Sequence, residues 1–236
     1  MNARFGDDLV DHHTYVIAGD GCLMEGISHE AISLAGHLRL GKLIVFFDDN
    51  GISIDGATAL SVSDDQLQRF AASGWHVAAV DGHDADAIAA AIEAAQADGR
   101  PSLMACKTVI GYGAPTKAGP AATHGAPLGS DEIDAARDAL GWPYAPFEVP
   151  DSVLDAWRAV GSAGAEAHND WAGRLAGASD GDAFTRQAAG ELEDGWQTAL
   201  ADFKRQVSED APKWATRKSS AEVLQVLNRA IPEMIG

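Results

Sequence analysis

Apolar residues in the N-terminal half of the chain follow two rhythms that alternate with one another. Short apolar runs at His13–Ala18, Lys42–Phe47, Trp75–Val80 and Ser102–Lys107 read as strands. Lys42–Phe47 does not alternate with polar residues, which predicts a strand covered on both faces. Between these runs, Ile27, Ala31, Leu34, Ala35 and Leu38 recur at helical spacing and predict a helix over Ile27–Leu38. Ser63 is placed to cap a helix over Asp64–Ala72, and Gly74 is placed to end it. Asp84–Ala97 is an alanine-rich helix with acids at its start. Strands alternating with helices predict an α/β fold, with a parallel sheet flanked by helices on both faces.

The pattern changes after Thr108. Val109–Gly129 carries five Gly and three Pro and reads as an ordered loop. Ser130–Leu140 reads as a capped helix. Gly141–Pro150 holds Trp142, Tyr144 and Phe147 among prolines and reads as an extended, packed segment. Asp151–Phe203 is mostly helical, interrupted at Gly177–Asp182, and Ser219–Ala230 is a last helix. This second half is expected to be a mostly helical connector.

Charge narrows the partners. In 236 residues, 17 Lys and Arg face 35 Asp and Glu, a formal net charge of −18. Such a chain repels nucleic acid and anionic membranes. Wherever it holds a phosphate it needs local positive charge or a metal. Cys22 and Cys106 show no CxxC spacing, which points to a reducing compartment without a disulfide. No apolar run approaches the ~20 residues of a membrane span, and the start of the chain has no hydrophobic signal core. The expectation is a cytoplasmic protein.

Candidate chemistry centres on Asp20 and Asn50. Asp20 lies in Gly19-Asp20-Gly21, and 28 residues separate Gly21 from Asn50, which sits in Asp48-Asp49-Asn50-Gly51-Ile52-Ser53. Singly, the first reads as a strand-to-turn junction and the second as a turn dipeptide. Together, each follows an apolar run, and the spacing fits one β-α-β unit. Neighbouring parallel strands would bring both oxygens to one strand-end crevice, where open α/β sheets bind ligands. Carboxylate and amide oxygens are hard donors suited to Mg²⁺ bridging phosphates. His124, in the Gly/Pro-rich loop, reads on its own as a surface histidine. Glu25 reads as a first-turn acid, Arg217 as a surface cation, and His83 as a structural residue at a strand end.

The stretch Gly19-Asp20-Gly21-Cys22-Leu23-Met24-Glu25-Gly26-Ile27-Ser28-His29-Glu30-Ala31 strongly resembles the thiamine-diphosphate motif of transketolases. The likeness continues through Asp48–Gly56, Gly74-Trp75-His76, Asp81-Gly82-His83-Asp84, Lys107-Thr108-Val109-Ile110-Gly111 and His124-Gly125-Ala126-Pro127-Leu128-Gly129, and reaches Arg217-Lys218-Ser219-Ser220. It implies that Asp20, Asn50 and the Ile52 carbonyl bind Mg²⁺, and that Gly21 lets the backbone approach the diphosphate of thiamine diphosphate. It implies that His124 lies between the diphosphate and the reacting end of the substrate. Arg217 would hold a sugar phosphate, and Glu25 would belong to a carboxylate network coupling two active sites of a dimer. The implied activity is transfer of a two-carbon ketol unit from a ketose phosphate to an aldose phosphate, in the pentose phosphate pathway.

Two departures from the family pattern stand out. A second histidine often found shortly before the position of His124 is absent from Ala118–Thr123, and Ala57–Val62 lacks the usual aromatic and Gly residues. Transketolases also begin before and continue past the matching stretch. The resemblance therefore implies that residues 1–190 are part of the diphosphate-binding domain, and 191–236 the connector and first helix of the pyrimidine-binding domain. It also implies a chain inactive alone, completed in a homodimer of the full-length enzyme or by a companion chain. Another thiamine-diphosphate enzyme, such as a deoxyxylulose-phosphate synthase or a dehydrogenase subunit, and a non-catalytic module remain as alternatives.

Overall fold

Strand pairing follows the apolar runs. In the computed structural model, which describes residues 1–234, the chain divides into two units: Met1–Asp11 with Asp155–Gly236, and His12–Leu154. The last two residues of the expected 191–236 segment lie outside the described residues.

The second unit contains the sheet. After helix α1 (Asn2–Leu9), which belongs to the other unit, β1 (Thr14–Gly19) leads through α2 (Asp20–Met24) and α3 (Gly26–His37) into β2 (Leu43–Asp49). A short antiparallel hairpin follows, β3 (Ile52–Ser53) with β4 (Gly56–Ala57). Then come α4 (Gln66–Ala72), β5 (His76–Asp81), α5 (Ala85–Ala97) and β6 (Ser102–Lys107). The four long strands form one parallel sheet in the order β1-β2-β6-β5. The expected α/β architecture is therefore present, with each strand within about two residues of its expected bounds.

This order explains the two cores. β1→β2 and β2→β5 move across the sheet in one direction, and β5→β6 moves back. Right-handed crossovers then place α2, α3 and α4 on one face and α5 on the other. One core joins Leu23, Ile32, Ala35 and Phe70 to Ala18, Val45, Phe47, Leu103 and Ala105. The other joins Ile88, Ala91 and Ala95 of α5 to Ile44, Val80, Met104 and Cys106. Adjacent residues Ile44 and Val45 thus enter opposite cores, as the non-alternating run required. In the first core Trp75 meets Phe70 edge-on at 4.9 Å, worth about 0.5–1.5 kcal/mol beyond burial. Its indole N–H donates to Ile32 O at 2.9 Å, so the buried polar atom is satisfied. β1 is an edge strand with Tyr15, Val16 and Ile17 exposed.

Local chemistry sets the helix ends. α4 begins two residues later than the Ser63 cap predicts, because Asp65 accepts from Gln68 N at 2.9 Å and caps it instead. Asp84 caps α5 through the amides of Asp86 and Ala87, at 3.0 and 3.1 Å. Gly74, at φ +86, ends the α4 turn as expected. Three elements were not foreseen: α1, the five-residue α2 that opens on Asp20, and the β3–β4 hairpin. After β6 come the Gly/Pro-rich loop and α6 (Ser130–Ala139).

The other unit is helical: α7 (Asp151–Gly177, entering from the preceding unit), α8 (Gly181–Ala188), α9 (Trp196–Asp210) and α10 (Thr216–Ala230). α1 packs there through Phe5, Leu9 and Val10 against Leu175 and Phe184. Trp171 Nε1 donates to Leu9 O at 2.9 Å and fixes the end of α1.

Candidate functional site

The carboxyl ends of adjacent strands deliver the site. Gly19 pairs with Asp48, Asp48 with Cys106, and Asp49 and Asp81 each with Lys107. The residues that follow β1, β2, β6 and β5 therefore emerge along one edge, as the crevice argument expected. Asp20 opens α2 one residue after β1, and α2 packs against β2 and the Ile52–Ser53 strand.

Asp20, Asp48, Asp49 and Asp81 stand at this edge, and of these Asp20 alone keeps a buried oxygen without a partner. Asp48 accepts from Asn50 Nδ2 at 3.1 Å and from the Thr108 hydroxyl. Asp49 pairs with Lys107 Nζ at 3.4 Å. Asp20 receives a hydrogen bond from the Gly51 amide, but its Oδ2 is buried without a partner. Burial, then the charges of Asp49 and Asp48, push the Asp20 carboxyl above its ordinary range, with the Gly51 amide and Lys107 opposing. The Cys106 thiol beneath is likewise pushed up, by burial and by Asp48.

Asn50 has a fixed orientation. Its Nδ2 faces Asp48, and its Oδ1 accepts from Ile52 N at 2.9 Å. One lone pair of Oδ1 remains. Gly51, at φ +71, makes this turn. A Cβ added at Gly21 would meet nothing within 4 Å, so the backbone there is open to a ligand. A cavity of about 290 Å³ lies beside Asp20, lined also by Phe47, Asp49, Thr58, Asp64 and Gln66.

These residues fit a hard cation. The orphaned Asp20 oxygen lacks a positive partner, and Asn50 and the Ile52 carbonyl are oxygen donors of the kind Mg²⁺ takes. Among the described residues no group of three or more His, Cys, Asp or Glu is arranged for a metal. A set with a single carboxylate would not form such a group.

The remaining expected residues are placed less centrally. His124 is exposed just after a turn at Ala121–Thr123, its N–H donating to Ala121 O at 2.9 Å. Glu25 is exposed between α2 and α3. Arg217 is exposed on α10, in the other unit. Sequence reasoning assigned no role to Asp48 and Asp49, whose charges press on Asp20, or to Thr108 and Lys107, which partner them. Register alone signals them, since Lys107 ends the strand that lies between β2 and β5.

A four-stranded parallel sheet with acidic and amide oxygens gathered at its carboxyl edge defines an α/β protein that binds ligands outside its strand ends. The family model described as "Transketolase, thiamine diphosphate binding domain" matches residues 1–193. The transketolase of Cereibacter sphaeroides is 56% identical over 235 residues, covering 100% of this chain and 36% of the relative. Transketolase 1 of Vibrio cholerae is 52% identical, covering 98% of this chain and 36% of the relative. The crystal structure of transketolase from Campylobacter jejuni superposes with a TM-score of 0.82 at 32% identity, covering 98% of this chain and 35% of that one. A Pichia stipitis transketolase in complex with sedoheptulose-7-phosphate gives 0.82 at 38% identity, covering 95% and 34%. The chain belongs to the transketolase family and carries its thiamine diphosphate binding domain. It spans about a third of the length of the curated relatives it matches.

Proposed function

We propose that this chain supplies the Mg²⁺- and diphosphate-binding half of a transketolase, and that residues 1–190 do this work. Asp20, Asn50 and the Ile52 carbonyl hold the metal. The open backbone at Gly21 admits the diphosphate. When bound, thiamine diphosphate supplies the carbon centre that carries the two-carbon unit. The Asp20 carboxylate, favoured in its ionised form by a bound Mg²⁺, offsets one of the ion's two charges and leaves the other to face the diphosphate, while Asp48 and Lys107 keep their partners. His124 donates a hydrogen bond to charge developing at the reacting end of the substrate, and Arg217 grips the sugar phosphate. Glu25 couples the site to that of a partner subunit.

The whole protein then moves a ketol unit from a ketose phosphate to an aldose phosphate in the pentose phosphate pathway of the cytoplasm. The Pichia stipitis relative bound to sedoheptulose-7-phosphate supports sugar phosphates as the substrate class. A homodimer of the full-length enzyme, or a companion chain, supplies the pyrimidine-binding side. The 236-residue chain alone is inactive. Among the described residues no helix is long and apolar enough to cross a membrane.

The observation that carries this reading is the buried, unpartnered Asp20 Oδ2 set beside two partnered aspartates. Asp20→Ala abolishes Mg²⁺-dependent thiamine diphosphate binding in the intact enzyme, read by calorimetry. An unchanged cofactor affinity refutes it.

A further inference from the structure

The loop Val109–Gly129 carries His124, and its root is fastened by a histidine from the neighbouring strand end. His83 follows β5, and its backbone N–H donates to Asp81 Oδ1 at 2.9 Å. Its ring Nε2 accepts from the Val109 N–H at 3.0 Å. The ring also stacks on Tyr112, with centroids 3.9 Å apart and planes 19° from parallel. Gly82 permits this approach: a Cβ there would lie 2.5 Å from Thr108 Cγ2 and 2.9 Å from Lys107 O.

From Val109 the fastening reaches His124 in short steps. Gly119 N–H donates to Ile110 O at 2.8 Å. Gly111, at φ +69, lies against Thr123, where an added Cβ would be 2.8 Å from Thr123 Cγ2. Thr123 in turn donates its hydroxyl to Lys117 O, and His124 follows directly. The root of the loop and its histidine-bearing turn interlock.

We propose that His83 is a positioning residue for His124, holding the root of the loop through a neutral imidazole whose Nε2 accepts the Val109 amide. It rests on the reading that places His124 in the site. The hydrogen bond fixes the tautomer with the proton on Nδ1. An imidazolium donates from both nitrogens and accepts from neither, so protonation releases the Val109 amide. The ionisable groups on the elements that meet His83 are Asp81 and Asp84 on its own turn, Lys107 at the end of β6, and Tyr112 in the loop. Stacking alone tolerates either protonation state, so the two contacts are separable.

The test is amide hydrogen exchange at Val109 and His124 in the 236-residue chain, from about pH 8 to about pH 5, corrected for intrinsic rates. Wild type loses protection at both amides as pH falls. H83F keeps a ring against Tyr112 but no acceptor, so it exchanges roughly fivefold faster than wild type at about pH 8 and like wild type at about pH 5. H83Q keeps an acceptor that does not titrate, and restores protection with a flat pH profile. Protection in H83F equal to wild type at about pH 8, H83Q as labile there as H83F, or a flat wild-type profile overturns the proposal. Where a variant fails to fold, the wild-type pH series decides. No arm contains cofactor, so failure of the Mg²⁺-site reading leaves these measurements interpretable.

Discussion

Gly36→Ala sets two effects of known sign against each other. Gly36 lies within α3, and alanine there gains about 1 kcal/mol of helix propensity. An added Cβ would lie 1.8 Å from Ser73 O, 3.0 Å from Ser73 C and 3.3 Å from Trp75 Cδ1. Carbon and oxygen approach no closer than about 3.3 Å even in weak hydrogen bonds, so α3 must retreat by more than an ångström from a backbone carbonyl. That retreat loosens Ile32 and Ala35 against Phe70 and Trp75. It also stretches the 2.9 Å bond from the Trp75 indole to Ile32 O. Overpacking costs about 1–3 kcal/mol, and a buried donor left without an acceptor about 1–3 kcal/mol. After the propensity gain, the net loss is about 3 kcal/mol, or a Tm lower by about 6–12 °C for a chain of this size. Urea unfolding followed by tryptophan fluorescence reads it as a lower midpoint with an unchanged slope. A variant as stable as wild type means that propensity wins, and that α3 is not pressed onto the Ser73 turn.

Other expected outcomes concern charge. A carboxyl raised above its ordinary value costs stability as pH climbs from 3.8 through the raised value. Asp20→Asn removes that cost, so it raises the metal-free unfolding midpoint at neutral pH. It also removes the gain from Mg²⁺ with thiamine diphosphate, about 2.7 kcal/mol at a hundredfold excess over Kd. A lower metal-free midpoint, or an unchanged gain, contradicts the assignment. The Arg100 guanidinium holds the Asp98 carboxyl down at about 2 against an ordinary 3.8. Its contribution is present above the ordinary value and lost as pH falls through about 2. Arg100→Met returns Asp98 towards its ordinary value in a ¹³C carboxyl titration, and a midpoint still near 2 rejects the pairing.

The sheet was legible because Val, Ile, Leu and Phe concentrate where strands are covered on both faces, and because Asp84 and Gly74 mark helix ends. What escaped were elements whose stability is tertiary. α1 contains Gly6 at φ +74 and is held by α7 and α8 far along the chain. The five-residue α2 follows a glycine and is too short for periodicity to reveal. The Asp65 cap displaced the expected Ser63 because two acids follow that serine, and only the structure shows which reaches the helix amides. In the site, Asp20 and Asn50 were legible as strand-end oxygens. Lys107 and Thr108, which partner Asp49 and Asp48 and leave the Asp20 Oδ2 without a partner, end and follow a strand that topology inserts beside β2. The anchoring of the His124 loop by His83 likewise depends on β5 lying next to β6, which spacing does not encode.

The position of the metal tests the account most directly. Crystals of the chain grown with thiamine diphosphate and Mn²⁺ in place of Mg²⁺ locate the ion by anomalous scattering. The account predicts one peak ligated by the Asp20 carboxylate, the Asn50 amide oxygen and the Ile52 carbonyl, with Asp48 and Lys107 keeping their present partners. A peak held instead by Asp49 and Asp64 across the neighbouring cavity, or cofactor bound without metal, contradicts it.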